Sequence, residues 1–184
     1  LPVYGPAAED IPSRAVDLRG GDRIRIDGLG AEFDVLDIPG HTRGHIAYHG
    51  QGVLFCGDTL FMAGCGRLFE GTARQMLNSL DRLCALPDPT QVYCGHEYTL
   101  ANLRFAATVE PENAGVRERT QACAALRAGG EPTVPAALSM ERKTNPFLRV
   151  RVPAVQAAAS RQAGEHLTDP IGVFAALRSL KDNF

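Results

Sequence analysis

The chain has 184 residues, of which 45% are hydrophobic and 22% charged, with a formal net charge of −2. That is enough chain for one sizeable domain, or one domain with a small appendage, of ordinary globular composition. It excludes a disordered chain, a membrane-spanning helix and any overall electrostatic pull toward nucleic acid or an anionic membrane.

From the first residue onward, LPVYGPAAEDIP has neither the basic start nor the apolar stretch of a signal peptide, and Leu1 is not a methionine. The expectation is a processed or truncated product. DRIRID (22–27) alternates as a strand, EFDVLDI (32–38) is a second run, and IAYHGQGVLFCG (46–57) predicts two strands joined as a hairpin across Gly50-Gln51-Gly52. Beyond a glycine-rich loop, Thr72 is placed to cap a helix whose apolar positions Met76, Leu77, Leu80, Leu83 and Cys84 share one face, with Pro87 and Pro89 ending it. QVYC (91–94) returns as a buried strand. Past Tyr98 the spacing turns helical near 99–109, 112–128 and 153–163, and the last helix has Asp169 as N-cap, Pro170 at its first position and Val173, Phe174, Leu177 and Leu180 as its apolar stripe.

The five cysteines, Cys56, Cys65, Cys84, Cys94 and Cys123, are odd in number and never spaced as C-x-x-C, which suits a reducing cytoplasm better than a disulfide framework or a zinc ribbon. Cys56 and Cys94 read as small apolar residues, and Cys65 as a loop thiol without a catalytic task.

Three strand ends share one construction: VLDIPGH ends at His41, VLFCGD at Asp58 and VYCGH at His96. In each, an apolar run fixes direction, a glycine permits a sharp exit, and a residue able to bind metal follows. Two imidazoles and a carboxylate are suitable ligands for zinc, and a carboxylate can bridge two metals. A single histidine in such a place is more often a hydrogen-bonded loop residue, but the threefold repetition favours a metal site. His41, His45 and His49 are spaced by four, yet Pro39, Gly40, Gly44 and Gly50 argue against the helix that would align them, so His45 and His49 read as structural or surface residues. His166 reads as solvent-facing, and Glu97 either as a residue that orients the site or as a surface carboxylate.

PGHTRGHIAY, GDTLFMAGCGRLFEGT, YCGHEYT and the terminal LRSLKDNF resemble glyoxalase II, the hydroxyacylglutathione hydrolases of the metallo-β-lactamase superfamily, in the family's order and from about the first strands to the last residue. The resemblance implies a metallo-β-lactamase αββα sandwich over residues 1–98, N-terminally incomplete in this chain, followed over 99–184 by a small α-helical domain that helps to hold glutathione. It implies two divalent metal ions, zinc in first place with iron or manganese as alternatives. His41 would bind one ion, His96 the other, and Asp58 would bridge both. The cations would lower the pKa of a bound water, and the resulting hydroxide would attack the thioester carbonyl of S-D-lactoylglutathione, releasing glutathione and D-lactate.

For the substrate, the resemblance implies contacts from Arg67, Tyr98, Arg178 and Lys181. Arg178 and Lys181 are three apart and pointed away from the apolar stripe of the last helix, where residues alone suggest a solvated face. Arg67 stands where animal members carry lysine and Phe69 where they carry tyrosine. TNPFLR matches the family as a structural turn. The family's H-x-H-x-D-H motif, which supplies four further ligands, does not occur, so the expectation is a fragment with little or no activity alone, and with an exposed sheet edge. The expected protein is a cytoplasmic monomer acting on a small glutathione thioester, with no nucleic-acid or membrane partner. The alternatives are another enzyme of the superfamily, such as a persulfide dioxygenase, and a truncated non-catalytic glutathione-binding module.

Overall fold

The computed structural model describes residues 2–184. Strands β1 (Val3–Pro6) and β2 (Arg14–Leu18) form a parallel pair. They are followed by β3 (Arg23–Ile26), β4 (Ala31–Asp37), β5 (Ile46–Gly50) and β6 (Val53–Gly57). A short hairpin, β7 (Leu60–Phe61) and β8 (Gly64–Cys65), leads to helix α1 (Ala73–Cys84) and strand β9 (Gln91–Cys94). Helices α2 (Thr99–Val109) and α3 (Ala114–Ala128), strand β10 (Ala136–Ala137), and helices α4 (Leu138–Thr144), α5 (Pro153–Ala163) and α6 (Pro170–Asp182) complete the chain.

The central sheet has the order β10-β9-β6-β5-β4-β3. β4 and β6 are each antiparallel to β5, and β6 is parallel to β9, so β4, β6 and β9 all run in one direction. Their C-terminal ends therefore gather at one edge of the sheet, which is where the chain places His41, Asp58 and His96. Alternation separates the two faces. Leu36, Ala47, Leu54, Cys56 and Val92 point into the main core with α1 and the later helices, whereas Val35, Ile46 and Tyr48 pack with Leu18 of β2. On this second face Phe33, Phe55 and Tyr93 form a row of rings with centroids 6.0 and 5.2 Å apart, and Phe55 stays exposed.

The β5–β6 hairpin forms across Gln51 and Gly52, both with positive φ (53° and 75°), the left-handed pair that matches strand twist. α1 starts as expected at Thr72, with a full capping box: Thr72 Oγ1 accepts from Gln75 N–H and the Gln75 side chain accepts from Thr72 N–H. It buries Met76, Leu77, Leu80 and Leu83, while Cys84 is only partly covered. α3 begins at Ala114 rather than 112, because Asn113 caps it by accepting from Val116 N–H. Two features lack a legible period. The hairpin β7–β8 and the strand β10 are two residues per strand, too short for alternation to register. No helix among the described residues is long and apolar enough to cross a membrane.

Candidate metal centre and substrate cleft

His41 lies in the turn after β4, and its Nδ1 is 2.9 Å from the backbone oxygen of Arg67. A carbonyl only accepts, so Nδ1 carries a proton in this contact, and Nε2 is the nitrogen turned to the centre. That Nε2 is 3.5 Å from Asp58 Oδ2, and His96 Nε2 is 3.4 Å from the same oxygen. An imidazole nitrogen and a carboxylate oxygen at these distances suit an ion pair or a shared cation. Zinc bonds of about 2.0–2.2 Å in tetrahedral geometry put neighbouring ligand atoms about 3.4 Å apart, so each imidazole–carboxylate pair has the length of one ligand edge. Among the described residues no group of three or more His, Cys, Asp or Glu side chains is placed to hold a metal ion by itself. The arrangement is a carboxylate oxygen shared by two imidazoles.

Backbone approach makes this convergence possible. Gly57 has φ +49°, and a Cβ there would come within 2.5 Å of His45 Nε2; at Gly95 a Cβ would collide with the Asp58 carboxylate. His45 packs beneath the Asp58 turn with Nε2 3.3 Å from Cys56 O, and burial pushes its imidazole below the usual value. It braces the turn as a structural residue. Cys56 is fully buried and burial raises its thiol, in keeping with a packing role. Glu97 faces away from the centre: it accepts from Thr133 Oγ1 (2.7 Å) and Thr133 N–H (3.0 Å), and these bonds hold its carboxyl below the ordinary range.

The centre opens on a cavity of about 570 Å³ lined by His41, Asp58 and His96, by Phe61, Phe69 and Tyr98, and by Arg67, Arg178 and Lys181. The Phe69 ring lies 4.8 Å from that of His41, and Tyr98 stacks on His96 at 5.1 Å and 21°. Tyr98 is half exposed, so its phenol is within reach of a ligand. Arg67 is largely exposed and stands 3.6 Å from Asp182. Lys181 Nζ rides over the Phe105 and Phe184 rings at 5.2 and 5.0 Å; burial, then the Arg178, Arg104 and Arg67 cations, hold its ammonium below the usual lysine value.

Arg178 departs from the expected solvated face. It is only 6% exposed, donates from Nη1 to Cys65 O (2.9 Å) and from Nη2 to Asp182 (3.0 Å), and covers the Phe147 ring at 5.1 Å. The apolar stripe of α6 is wider than read, and the hairpin β7–β8 closes over its flank. Cys65 is likewise buried, its thiol pushed up to about 11 mainly by burial. Sequence reasoning missed Phe61, Asn102, Asp182 and Phe184 on the cavity wall. Only Asp182 left a signal, four residues after Arg178 on one helix face.

Residues 2–96 match the family described as Metallo-beta-lactamase superfamily, and residues 97–184 match Hydroxyacylglutathione hydrolase C-terminus. The hydroxyacylglutathione hydrolase of Nitrosomonas eutropha is 54% identical over 184 residues, which is all of this chain and 72% of that protein. That of Alkalilimnicola ehrlichii is 56% identical over 182 residues, 99% of this chain and 71% of its own length. The chain belongs to the hydroxyacylglutathione hydrolase family. Among solved structures, ETHE1 from Myxococcus xanthus superposes with a TM-score of 0.59 at 25% identity, over 97% of this chain and 64% of that one. A metallo-beta-lactamase from Staphylococcus aureus gives 0.56 at 19% identity, over 98% and 49%, which shows the fold alone. Membership of hydroxyacylglutathione hydrolases in the metallo-β-lactamase superfamily implies divalent metal ions, and the paired Asp58 contacts fit that requirement.

Proposed function

We propose that the protein hydrolyses 2-hydroxyacyl thioesters of glutathione: S-D-lactoylglutathione and water give glutathione and D-lactate, the second step of methylglyoxal detoxification. The observation that carries this reading is Asp58 Oδ2 shared between His41 and His96 at the mouth of a cavity with cationic residues on its far wall, in a chain 54% identical along its whole length to a hydroxyacylglutathione hydrolase. In this reading His41 and His96 would each hold one of two divalent ions, zinc in first place with iron or manganese as alternatives, and Asp58 would contribute to both. Bound there, such ions lower the pKa of water and polarise the thioester carbonyl.

The chain's own residues do the rest. The Arg67 carbonyl keeps the proton on His41 Nδ1 and so presents Nε2 to the centre. Phe61, Phe69 and Tyr98 pack their rings against the two imidazoles and hold their orientation. Arg67 and Lys181 supply positive charge for the glutathione carboxylates, and the Tyr98 phenol a hydrogen bond to its peptide. Arg178 lines the same wall, with most of its donors already engaged within the protein. We place residues 1–98 as the metal-binding part and 99–184 as the helical glutathione-binding part, in a cytoplasmic monomer.

The test is to load the chain with zinc, iron or manganese, measure metal per chain, and follow both thioester loss and glutathione binding. Thioester hydrolysis without oxygen uptake supports the reading, and glutathione binding with neither activity would transfer this chain to the non-catalytic glutathione-binding module. Oxygen uptake with glutathione persulfide and an untouched thioester would transfer it to a persulfide dioxygenase, which the family match over residues 97–184 disfavours. Binding of neither glutathione nor thioester refutes it.

A further inference from the structure

The β7–β8 hairpin is bonded at every residue from 61 to 65 to a side chain of the second half. Asn145 Nδ2 donates to Phe61 O (3.2 Å) and Gly64 O (2.9 Å), Asn102 Nδ2 to Met62 O (3.0 Å), and Arg178 Nη1 to Cys65 O (2.9 Å). Ala63 N–H donates to Glu141 Oε2 (2.8 Å). Glu141 and Asn145 are fully buried, and Asn102 and Arg178 nearly so. Arg119, also buried, pairs with Glu141 and donates to Thr144 Oγ1 (2.6 Å), so the carboxylate is both neutralised and fixed. The orientation of the Asn145 amide is set independently, because its oxygen accepts from Phe147 N–H at 3.1 Å and leaves the nitrogen for the hairpin.

The far end of this hairpin reaches the metal centre with little slack. Gly66 N–H donates to Thr59 O (3.2 Å), and a Cβ on Gly66 would clash with Asp58 O and stand 3.2 Å from His41 Nδ1. The next carbonyl, Arg67 O, is the acceptor for His41 Nδ1–H, and Phe69 N–H and Glu70 N–H donate back to His41 O (3.2 and 3.3 Å). A small displacement of the hairpin therefore moves the acceptor that sets the His41 tautomer.

We infer that Asn145 and Glu141, with Asn102, are positioning residues that orient His41 through the β7–β8 hairpin, so that the helical half determines the geometry of the metal centre. This rests on reading His41 as a ligand, but the geometry it predicts is visible without metal or turnover. The test uses the full chain labelled with ¹⁵N. Long-range ¹H–¹⁵N correlations report which His41 nitrogen carries the proton, with His49 and His166 as internal references, and hydrogen exchange reports the Ala63 amide.

Asn145→Asp keeps the size and the acceptor for Phe147 but removes both donors to the hairpin and the third contact of the same nitrogen, to Glu141 Oε2 at 3.1 Å, and so also disturbs the acceptor of Ala63 N–H. The expected result is Ala63 exchange about a hundredfold faster, about tenfold for each of two buried hydrogen bonds lost, together with loss of the pure Nδ1–H form of His41. Asn102→Ala removes a single hairpin bond, should give the same changes at smaller amplitude, and decides the matter if Asn145→Asp does not fold. Arg151→Ala breaks the exposed Arg151–Asp81 pair, which does not touch the hairpin, and should leave His41 unmoved. A faster Ala63 amide with an unchanged His41 tautomer would overturn the inference, as would an equal His41 change in Arg151→Ala.

Discussion

Arg178→Ala separates a structural from a substrate-binding role for the most buried cation of the cleft. The guanidinium donates to the buried Cys65 carbonyl, and loss of a charged donor to a buried acceptor costs about 1.5–3 kcal/mol. Its place over the Phe147 ring adds about 1 kcal/mol. The Asp182 contact contributes little because that carboxylate is 41% exposed, and Arg178 Nε, buried without a partner, offsets part of the gain. The expected loss is about 3 kcal/mol, or about 6–12 °C in Tm for a chain of this size. Differential scanning calorimetry beside glutathione titration measures both quantities. Lys181→Ala, which breaks no hydrogen bond of the hairpin, should weaken glutathione binding with a far smaller change in Tm. An Arg178→Ala protein that melts with the parent yet no longer binds glutathione would refute the argument.

Asp58→Asn keeps the shape of the shared side chain but removes the charge between His41 and His96; bound metal by elemental analysis should fall by at least about 100-fold in affinity, with hydrolysis falling in step. Thr72→Ala breaks the capping box of α1 and should cost about 1 kcal/mol, seen as a Tm lower by about 2–4 °C with unchanged glutathione binding. Lys181 is held below its usual value in the folded state, so on raising pH the folded protein releases this proton before the unfolded chain does, and stability gains as pH climbs toward the unfolded lysine value. Lys181→Met should therefore be more stable than the parent near neutrality, with the difference shrinking as the medium becomes alkaline; a gap that widens instead would contradict this sign.

Elements with a strong local signal were legible. Gly50-Gln51-Gly52 marked the β5–β6 turn, Thr72 the start of α1, and Asp169-Pro170 the start of α6, because each depends on contacts within a few residues. The strand–glycine–ligand repetition pointed to one centre, and the common direction of β4, β6 and β9 is what brings those ends together. Burial of Arg178 was not legible, since the group that covers it lies 113 residues earlier at Cys65. The same holds for Arg119, Glu141 and Asn145. In sequence they are ordinary helix and turn residues, and their shared task exists only once the 60–65 hairpin is laid across them.

Strand β10 sets a condition on how the protein is made. Ala136 and Ala137 pair with Val92 and Gln91, and Leu138 N–H donates to Thr90 O at 2.8 Å, so β9 lies between β6 and a strand that follows it only after two helices. While the chain emerges from the ribosome, the outer edge of β9 stays unpaired until about forty more residues have been added, roughly 2–8 s at ordinary elongation rates. During that interval the strand leading to His96 offers free N–H and C=O groups to any neighbouring chain. Overexpression that crowds nascent chains together should therefore draw insoluble product from this edge, and a slower supply of chains should restore the folded protein.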